Sequence, residues 1–569
     1  MTAAPPIAPA RASVAPIVRR IVTYTILFVL VVLTATGAAD LVGRVFDLFG
    51  DEALAGSGTG GLAVSLTFTL IAGPLAGVLG WFCWRRLADP TERDSLAWAL
   101  YVVGMSTVAL VVWTTASLTA IASTITAETL AAEAATGLVW AGVWAGHWFV
   151  LRRTDRRPTR LPGTAALLGG TFGLLLGAGG GMAALTAVVD EALTVVTEGA
   201  AASLGSPWWS GALQALVWAA GGAVVWAWLW LRGGGITART GLAAVVVVGV
   251  AVLGGALLTL GGTGTVLFVL LRLVVDRSDG VPVLIEPVAP AIAAALVGSL
   301  IWVYHRGVVR ARSRAVRQAS TLVTSGIALI FAASGIGVIV NALLATLTTP
   351  LAGSDPRTVL LAGISALLVG APLWWATWKP GTTPAPDRRG WADRSVYLVV
   401  VFGISAVTLL ITLLVIGFRL FDTILAGDPG LLDRIRAPLG LLVATGLVAA
   451  YHFSVWRRDR AEIAAVAPVA VPAAVPADVP AAARPAGAAR AIGEVVLVMG
   501  PGAAPVVDHL HQLTGAPVEY WQRSSTTTVL PDPGQVVRAL AGVGGDRVLV
   551  IVGEDGAVTV IGLVPAQVA

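Results

Sequence analysis

The sequence predicts an all-α polytopic membrane protein of about 12 transmembrane helices, arranged as three parallel four-helix repeats and followed by a small cytoplasmic α/β domain. Three observations carry this expectation. Of 569 residues, 56% are hydrophobic and 12% charged, against about 25% charged in a soluble domain. Apolar runs of roughly 18 residues or more, enough to cross about 30 Å of hydrocarbon, recur along the chain. A pattern of aromatic, histidine and basic residues also returns, mostly at a spacing of 147 residues.

Taken in order, the apolar runs place helices at 21–49, 62–84, 96–125 and 132–151, then at 164–190, 209–231, 241–275 and 287–306. The last four fall at 320–348, 358–378, 395–425 and 435–456. The stretch from Arg19-Arg20 through Ala35 to Ala39 has the outline of a signal peptide. Its removal would orphan the following helix, so it is read as the first span. Residues 1–17 are expected to form a disordered cytoplasmic arm.

Basic residues set the orientation. Alternate loops hold 25 Lys and Arg, the intervening loops 7. The richer set faces the cytoplasm, and both termini lie on that side. Arginine greatly outnumbers lysine (Lys379 is the sole lysine), a composition that suggests a bacterial plasma (inner) membrane.

Residues 461–490 repeat Ala, Pro and Val, a composition for an extended linker rather than a helix. Residues 491–569 return to soluble patterning. Strands are expected at 494–500, 517–522, 547–553 and 557–563, and helices at 503–513 and 533–543. The final two strands form a hairpin about Asp555-Gly556.

Composition also excludes chemistry. Cys83 is the single cysteine, which removes intrachain disulfides and thiolate metal clusters. No GxxxxGK[ST] string occurs, so the chain has no P-loop. The +5 charge is dispersed at helix ends and forms no continuous basic face, so nucleic acid is not an expected partner. No carboxylate falls mid-span, where coupled carriers usually keep one. No catalytic residue, metal or cofactor is assigned.

The repeat emerges from the helix ends. Trp81-Phe82-Cys83-Trp84-Arg85, Trp228-Leu229-Trp230-Leu231-Arg232 and Trp375-Ala376-Thr377-Trp378-Lys379 follow one another at 147 residues. His147, His305 and His452 each precede a basic residue, Arg152, Arg310 or Arg457, by five. The histidine spacings are 158 and 147, which implies an insertion in the second copy, assigned to the external loop at 281–290. The copies are 18–160, 161–313 and 314–460. Each has an even number of spans, so all three share one orientation.

First helices run into charged ends, Arg44-Val45-Phe46-Asp47 in copy one, with Arg419-Leu420-Phe421-Asp422 later in the chain. In this the chain resembles an uncharacterised prokaryotic polytopic membrane-protein family built from tandem four-helix domains of unknown function. The resemblance implies a membrane location and contributes no catalytic residues.

Each candidate feature has two readings. His147, His305 and His452 could bind a metal, a haem or an anion, or sense pH. They read more simply as interfacial anchors beside Trp81, Trp84, Arg85, Trp148, Arg152, Trp228, Arg232, Arg310, Trp375, Trp378, Lys379 and Arg457. Arg44 with Asp47, Arg272 with Asp276 and Arg419 with Asp422 are spaced as same-face pairs at external helix ends, Asp40 extending the first. Gly169, Gly173, Gly177 and Gly181 recur every four residues, as in a close helix seam. The Gly500-Pro501-Gly502 turn after the first tail strand lacks the donors of a phosphate loop.

These features point to a non-enzymatic membrane scaffold or regulatory component, with the lipid bilayer around it and a cytoplasmic protein partner for 491–569. The first alternative is a facilitative transporter or channel with its path between repeats. The second is a haem- or lipid-handling membrane enzyme. Oligomeric state is not legible in the sequence.

Overall fold

Twelve helices in the computed structural model are long and apolar enough to cross a membrane. They are α1 (Ala15–Asp47), α2 (Thr59–Arg86), α3 (Leu96–Thr126), α4 (Ala131–Arg152), α5 (Thr164–Thr197) and α6 (Trp208–Arg232). The remaining six are α7 (Gly241–Val275), α8 (Val281–Arg310), α9 (Arg314–Ala345), α10 (Pro356–Trp378), α11 (Tyr397–Ala426) and α12 (Leu431–Arg458). The structure describes residues 15–47, 59–128, 130–198, 207–276, 278–348, 355–378, 388–427, 430–466, 492–523, 529–540, 543, 547–553 and 555–563. The arm at 1–14, Lys379 and most of the Ala/Pro stretch lie outside them.

Local chemistry sets several boundaries. Ser95 caps α3 by accepting the Trp98 amide, Thr240 caps α7 through Ala243, and Ser313 caps α9 through Val316. Each hydroxyl satisfies a first-turn N–H that has no intrahelical partner. Between α11 and α12, Gly427 and Gly430 take positive φ, 66° and 88°, which a residue without a Cβ adopts at no steric cost. The segment at 281–290, expected as an external loop, is instead helical over Val281–Ile285 and again from Val288. Pro282 sits in the first turn, where its missing N–H costs nothing.

Successive helices pair as hairpins: α1–α2, α3–α4, α5–α6, α7–α8, α9–α10 and α11–α12. Beyond the hairpins, α1 packs on α4, α5 on α8 and α9 on α12. Helix α3 packs on α5 and α6, and α7 packs on α9 and α10.

The chain divides into two compact units, Met1–Ala467 and Pro468–Ala569. The second contains strands β1 (Val495–Met499), β2 (Val518–Gln522), β3 (Arg547–Val552) and β4 (Val558–Leu563), with helices α13 (Ala504–Thr514) and α14 (Pro533–Leu540). The sheet order is β2-β1-β3-β4; β1 is parallel to β2 and β3, and β3 is antiparallel to β4. Val495, Leu497 and Met499 alternate inward with Val548, Val550 and Val552. Val506 and Leu510 of α13 and Val536 and Leu540 of α14 cover that face.

Candidate functional site

The three histidines occupy one kind of local setting. Each donates from Nδ1 to the carbonyl one turn earlier, His147 to Val143, His305 to Ile301 and His452 to Val448, all at 2.8 Å. A carbonyl only accepts, so this bond puts the proton on Nδ1 and leaves Nε2 as an acceptor. The surroundings then diverge. His147 Nε2 lies 3.1 Å from the Tyr101 hydroxyl of α3. Tyr101 stacks in turn on Tyr24 and Trp98.

His305 and His452 sit in aromatic cages instead. Trp226, Trp230 and Tyr304 surround His305 at ring separations of 6.5, 5.8 and 4.9 Å. Trp374, Trp378 and Tyr451 surround His452 at 6.4, 5.5 and 5.1 Å. Tyr397 of α11 adds a fourth wall to the latter at 6.0 Å. Both histidines are buried, and His452 Nε2 has no hydrogen-bond partner. The histidines belong to three different helix hairpins, and among the described residues no group of three or more His, Cys, Asp or Glu could hold a metal.

The cages revise the sequence alignment. Trp230 Nε1 donates to Tyr304 at 3.1 Å, and Trp378 Nε1 donates to Tyr451 at 3.1 Å. Trp378 thus matches Trp230, one residue beyond the 147 spacing that had aligned it with Leu231. The cause is a π-helical turn at Trp228–Arg232, which takes one extra residue into the helix and re-aims the side chains. Trp378, expected as an interfacial anchor, is buried at 6% exposure.

Other expected anchors do meet their basic neighbours. Arg85 lies over Trp81, Arg152 over Trp148 and Arg232 over Trp228, at 4.8, 4.8 and 6.0 Å. Trp84 is taken from the opposite direction, by Arg156 at 5.2 Å. Trp375 is exposed, as are Arg310 and Arg457 at the ends of α8 and α12.

The helix-end charges expected to be external pair differently from their spacing. Arg44 bonds Asp40 at 2.8 Å, and Ser65 of α2 donates to the same carboxylate oxygen at 2.5 Å; Asp47 is exposed at the end of α1. Arg272 lies 3.5 Å from Asp276 and 2.7 Å from Asp279. Asp276 accepts from Thr358 of α10 at 2.7 Å. That bond and a second from Ser278 hold its carboxyl below the usual carboxylate range. Asp422 meets Arg434 across the α11–α12 turn at 3.5 Å, while Arg419 donates to the Arg434 carbonyl. The turn is closer to both groups than their shared helix face.

The glycine seam is real geometry with a longer period. A Cβ on Gly173 would sit 2.5 Å from the Trp226 amide, and one on Gly177 3.1 Å from that of Ala223. Gly180, which the four-residue pattern passes over, abuts Ala219 and Ala215. Gly169 faces Leu229 and Leu110 side chains, and Gly181 faces Val297 of α8. The α5–α6 seam therefore follows Gly173, Gly177 and Gly180, in steps of four and three, against Gly222, Ala219 and Ala215. In α7–α8, Gly255 and Gly262 meet Gly298 and Ala291; in α9–α10, Ala328 and Gly335 meet Gly370 and Gly363. Seven-residue spacing keeps small residues facing one partner along a left-handed crossing.

One residue outside the expected sets anchors the loop between α2 and α3. Glu92, buried at 6% exposure in the short helix Pro90–Arg93, takes Arg20 at 2.9 Å, Tyr24 at 3.1 Å and Arg19 at 3.6 Å. Its sequence signal was a helix start, with Asp89 capping the Thr91 amide before Pro90. Asp94 accepts from Thr159 at 2.8 Å and so ties this loop to the α4–α5 connection.

The fold and these sites define a multi-pass α-helical membrane protein. A family described as a domain of unknown function (DUF5671) matches residues 20–128 and again residues 318–447. The tandem match agrees with the resemblance carried by the charged helix ends, to an uncharacterised family of repeated domains. No curated protein and no solved structure matches the chain.

Proposed function

We propose that the chain is a non-enzymatic scaffold or regulatory component of a bacterial inner membrane, built from three copies of a four-helix unit at 18–160, 161–313 and 314–460. In this reading both termini are cytoplasmic and the tail at 491–569 docks a protein partner. The observation that carries it is the one-sided covering of the tail sheet. Helices α13 and α14 pack on the face of Leu497 and Val550. By strand alternation the other face presents Val496, Val498, Leu549, Ile551 and Ile561, with Trp521 exposed beside them. A rimmed apolar surface on a small domain commonly marks an interaction site.

Support for the repeat comes from recurring packing. The first helix of each quartet lies on the fourth, and third helices lie on the quartet that follows. The family matches begin in the first helices of the first and third quartets. Interior character favours a scaffold over a polar pathway: Gly and Ala seams close the α5–α6, α7–α8 and α9–α10 hairpins. The cavity of about 860 Å³ among α9, α11 and α12 is lined mainly by apolar side chains such as Leu322, Val338, Ile404 and Leu441, with Asn341, Ser405 and Thr408 among them.

The test is affinity recovery from native membranes with the full chain and a Trp521→Ser, Ile551→Ser variant. A defined partner held by the first and lost from the second, with the tail still folded by circular dichroism, supports docking. Equal recovery by both chains sinks it.

A further inference from the structure

The two regions that match the family differ in how their first and third helices meet. Helices α1 and α3 pack more closely than α9 and α11 do. Where α9 and α11 part, with α12 behind them, lies the cleft of about 860 Å³. Between α1 and α3 only about 270 Å³ remains, walled by Tyr24, Phe28 and Tyr101 among others.

Side chains of α1 account for the difference. A Cβ on Gly37 of α1 would sit 2.8 Å from the Ser65 carbonyl oxygen of α2, and one on Gly335 of α9 would sit 2.8 Å from that of Gly363 in α10. The two glycines therefore hold the same place, and the starts of the family matches, 20 and 318, differ by the same interval. Both helices are α-helical throughout, so one register serves their whole length. In it Tyr24 falls on Leu322 and Phe28 on Gly326. Tyr24 stacks on Tyr101 of α3, and Phe28 reaches α3 at Gly104, whose Cβ would lie 3.7 Å from its ring. Leu322 still packs beside Tyr397 of α11. Gly326 puts nothing into the gap, and a Cβ there would meet nothing within 4 Å.

The dimensions of the cleft select its occupant. It follows α9 from Ala319 to Asn341, roughly 33 Å at 1.5 Å per residue, and so runs the depth of the hydrocarbon. Its mean section is then of the order of 30 Å². A helix with its side chains is about 10–12 Å across, or about 80–110 Å² in section, and does not fit. An extended hydrocarbon chain, whose carbons pack at about 4 Å from their neighbours, does. The hydroxyls in the walls are turned back on their own helices: Ser405 donates to Val401, Thr408 to Ile404 and Thr445 to Leu441. Ile330, Val400 and Ile404 face the cleft and are 65, 49 and 64% exposed. Exposed Val399 and Val407 of α11 carry this apolar surface on beyond the cleft, so it is continuous with the lipid-facing exterior.

We infer that the cleft among α9, α11 and α12 holds an acyl chain of a membrane phospholipid, admitted sideways between α9 and α11. The acyl chain fills here the place that the Phe28 ring fills between α1 and α3. An unbranched chain suits so narrow a section, whereas the methyl branches of an isoprenoid need more width. Bulk lipid is as apolar as these walls, so retention depends on close packing against three helices rather than on the hydrophobic effect.

Photolabelling of the full chain tests this, in vesicles of phosphatidylglycerol and phosphatidylethanolamine with a trace of phospholipid carrying a diazirine on its acyl chain. On illumination Ile330 and Ile404 should be labelled several-fold more than Leu75 and Val78, which are exposed on α2. Gly326→Phe, which gives α9 the ring that α1 has, should bring labelling of the cleft down to the level of α2. Gly403→Phe adds the same bulk to α11 at a position open to at least 4 Å and outside the cleft lining, and should leave the labelling as it was. Equal labelling of cleft and α2 in the unsubstituted chain overturns the proposal whatever the variants do. Cleft labelling that survives Gly326→Phe overturns it as well. Native mass spectrometry of the unsubstituted chain, released from detergent, gives an independent reading. One chain with the added mass of a phospholipid supports the assignment; a bare chain, a retained isoprenoid or a second chain in place of lipid contradicts it.

Discussion

The indole Nε1 of Trp230 donates to the hydroxyl of Tyr304 across the α6–α8 contact at 3.1 Å. The same bond joins Trp378 to Tyr451, at the same length. Trp226 meets Tyr304 edge-on at 5.2 Å and 76°, and Trp374 meets Tyr451 at 5.4 Å and 72°. Two regions of one chain thus hold a buried histidine in the same aromatic cage. The cage ties α6 to α8 and α10 to α12, a role that packing alone explains.

Both cages should therefore respond alike to mutation. A double-mutant cycle with Trp230→Phe and Tyr304→Phe is expected to give a coupling of about 1 kcal/mol, the usual net worth of such a bond. Trp378→Phe with Tyr451→Phe should match it within the error of thermal unfolding in detergent. Coupling at one site and none at the other would mean that the cages are not equivalent.

The seam makes a steric prediction. Gly173→Leu should separate α5 from α6, because the new side chain meets the backbone of Trp226 and Gly222. Backbone cannot yield as a flexible side chain does, so the loss is expected at the upper end of overpacking costs, about 3 kcal/mol. Gly179 meets nothing within 4 Å, so Gly179→Ala should be neutral or stabilise by up to about 1 kcal/mol through helix propensity. The ratio of folded to aggregated protein after graded heating separates the two.

Glu92 gathers two arginines and a tyrosine hydroxyl at the N-terminal end of α1. Glu92→Ala leaves Arg20 beside an emptied, desolvated site and is expected to cost about 3 kcal/mol. Limited proteolysis should then cut the α2–α3 loop faster than in the parent chain. Unchanged cleavage would show that the cluster is not what holds the loop.

The Asp276–Thr358 bond ties the C-terminal end of α7 to the N-terminal end of α10 and carries a pH signature. The Asp276 carboxyl titrates below its ordinary value in the folded chain, chiefly because Thr358 donates to the ionised form. A depressed folded pKa contributes stability that is complete above the unfolded pKa and is lost as pH falls through the folded one. Thr358→Val should remove most of this contribution, so the variant's deficit in melting temperature is present at pH 6 and shrinks below pH of about 4. A deficit independent of pH would assign the loss to packing instead.

Much of the membrane fold was legible because lipid imposes one rule, that a spanning helix be apolar throughout. Hydropathy alone therefore located twelve runs. In the tail, the unbroken apolar run from Val495 to Met499 and the Asp555-Gly556 turn marked strands as clearly. Side-chain partners were less legible. Trp378 reads as an interfacial anchor by its place at a helix end, but a π-helical turn in α6, which propensity does not announce, decides which tryptophan meets the histidine. Asp422 reads as the partner of Arg419 by spacing, yet a short turn brings Arg434 closer. Gly180 was passed over because a period of four hides one of seven. Glu92 was missed because burial in a loop depends on what a distant helix, here α1 with Arg20 and Tyr24, brings to it.

An experimental density map of the membrane unit bears most directly on the central claim, that three copies of one four-helix unit stand in a row. The rigid-body operation that carries 18–160 onto 161–313 should also carry 161–313 onto 314–460, with α3 against α6 and α7 against α10 in matching register. Two unrelated operations, or a third quartet joined to the second through other helices, would contradict it.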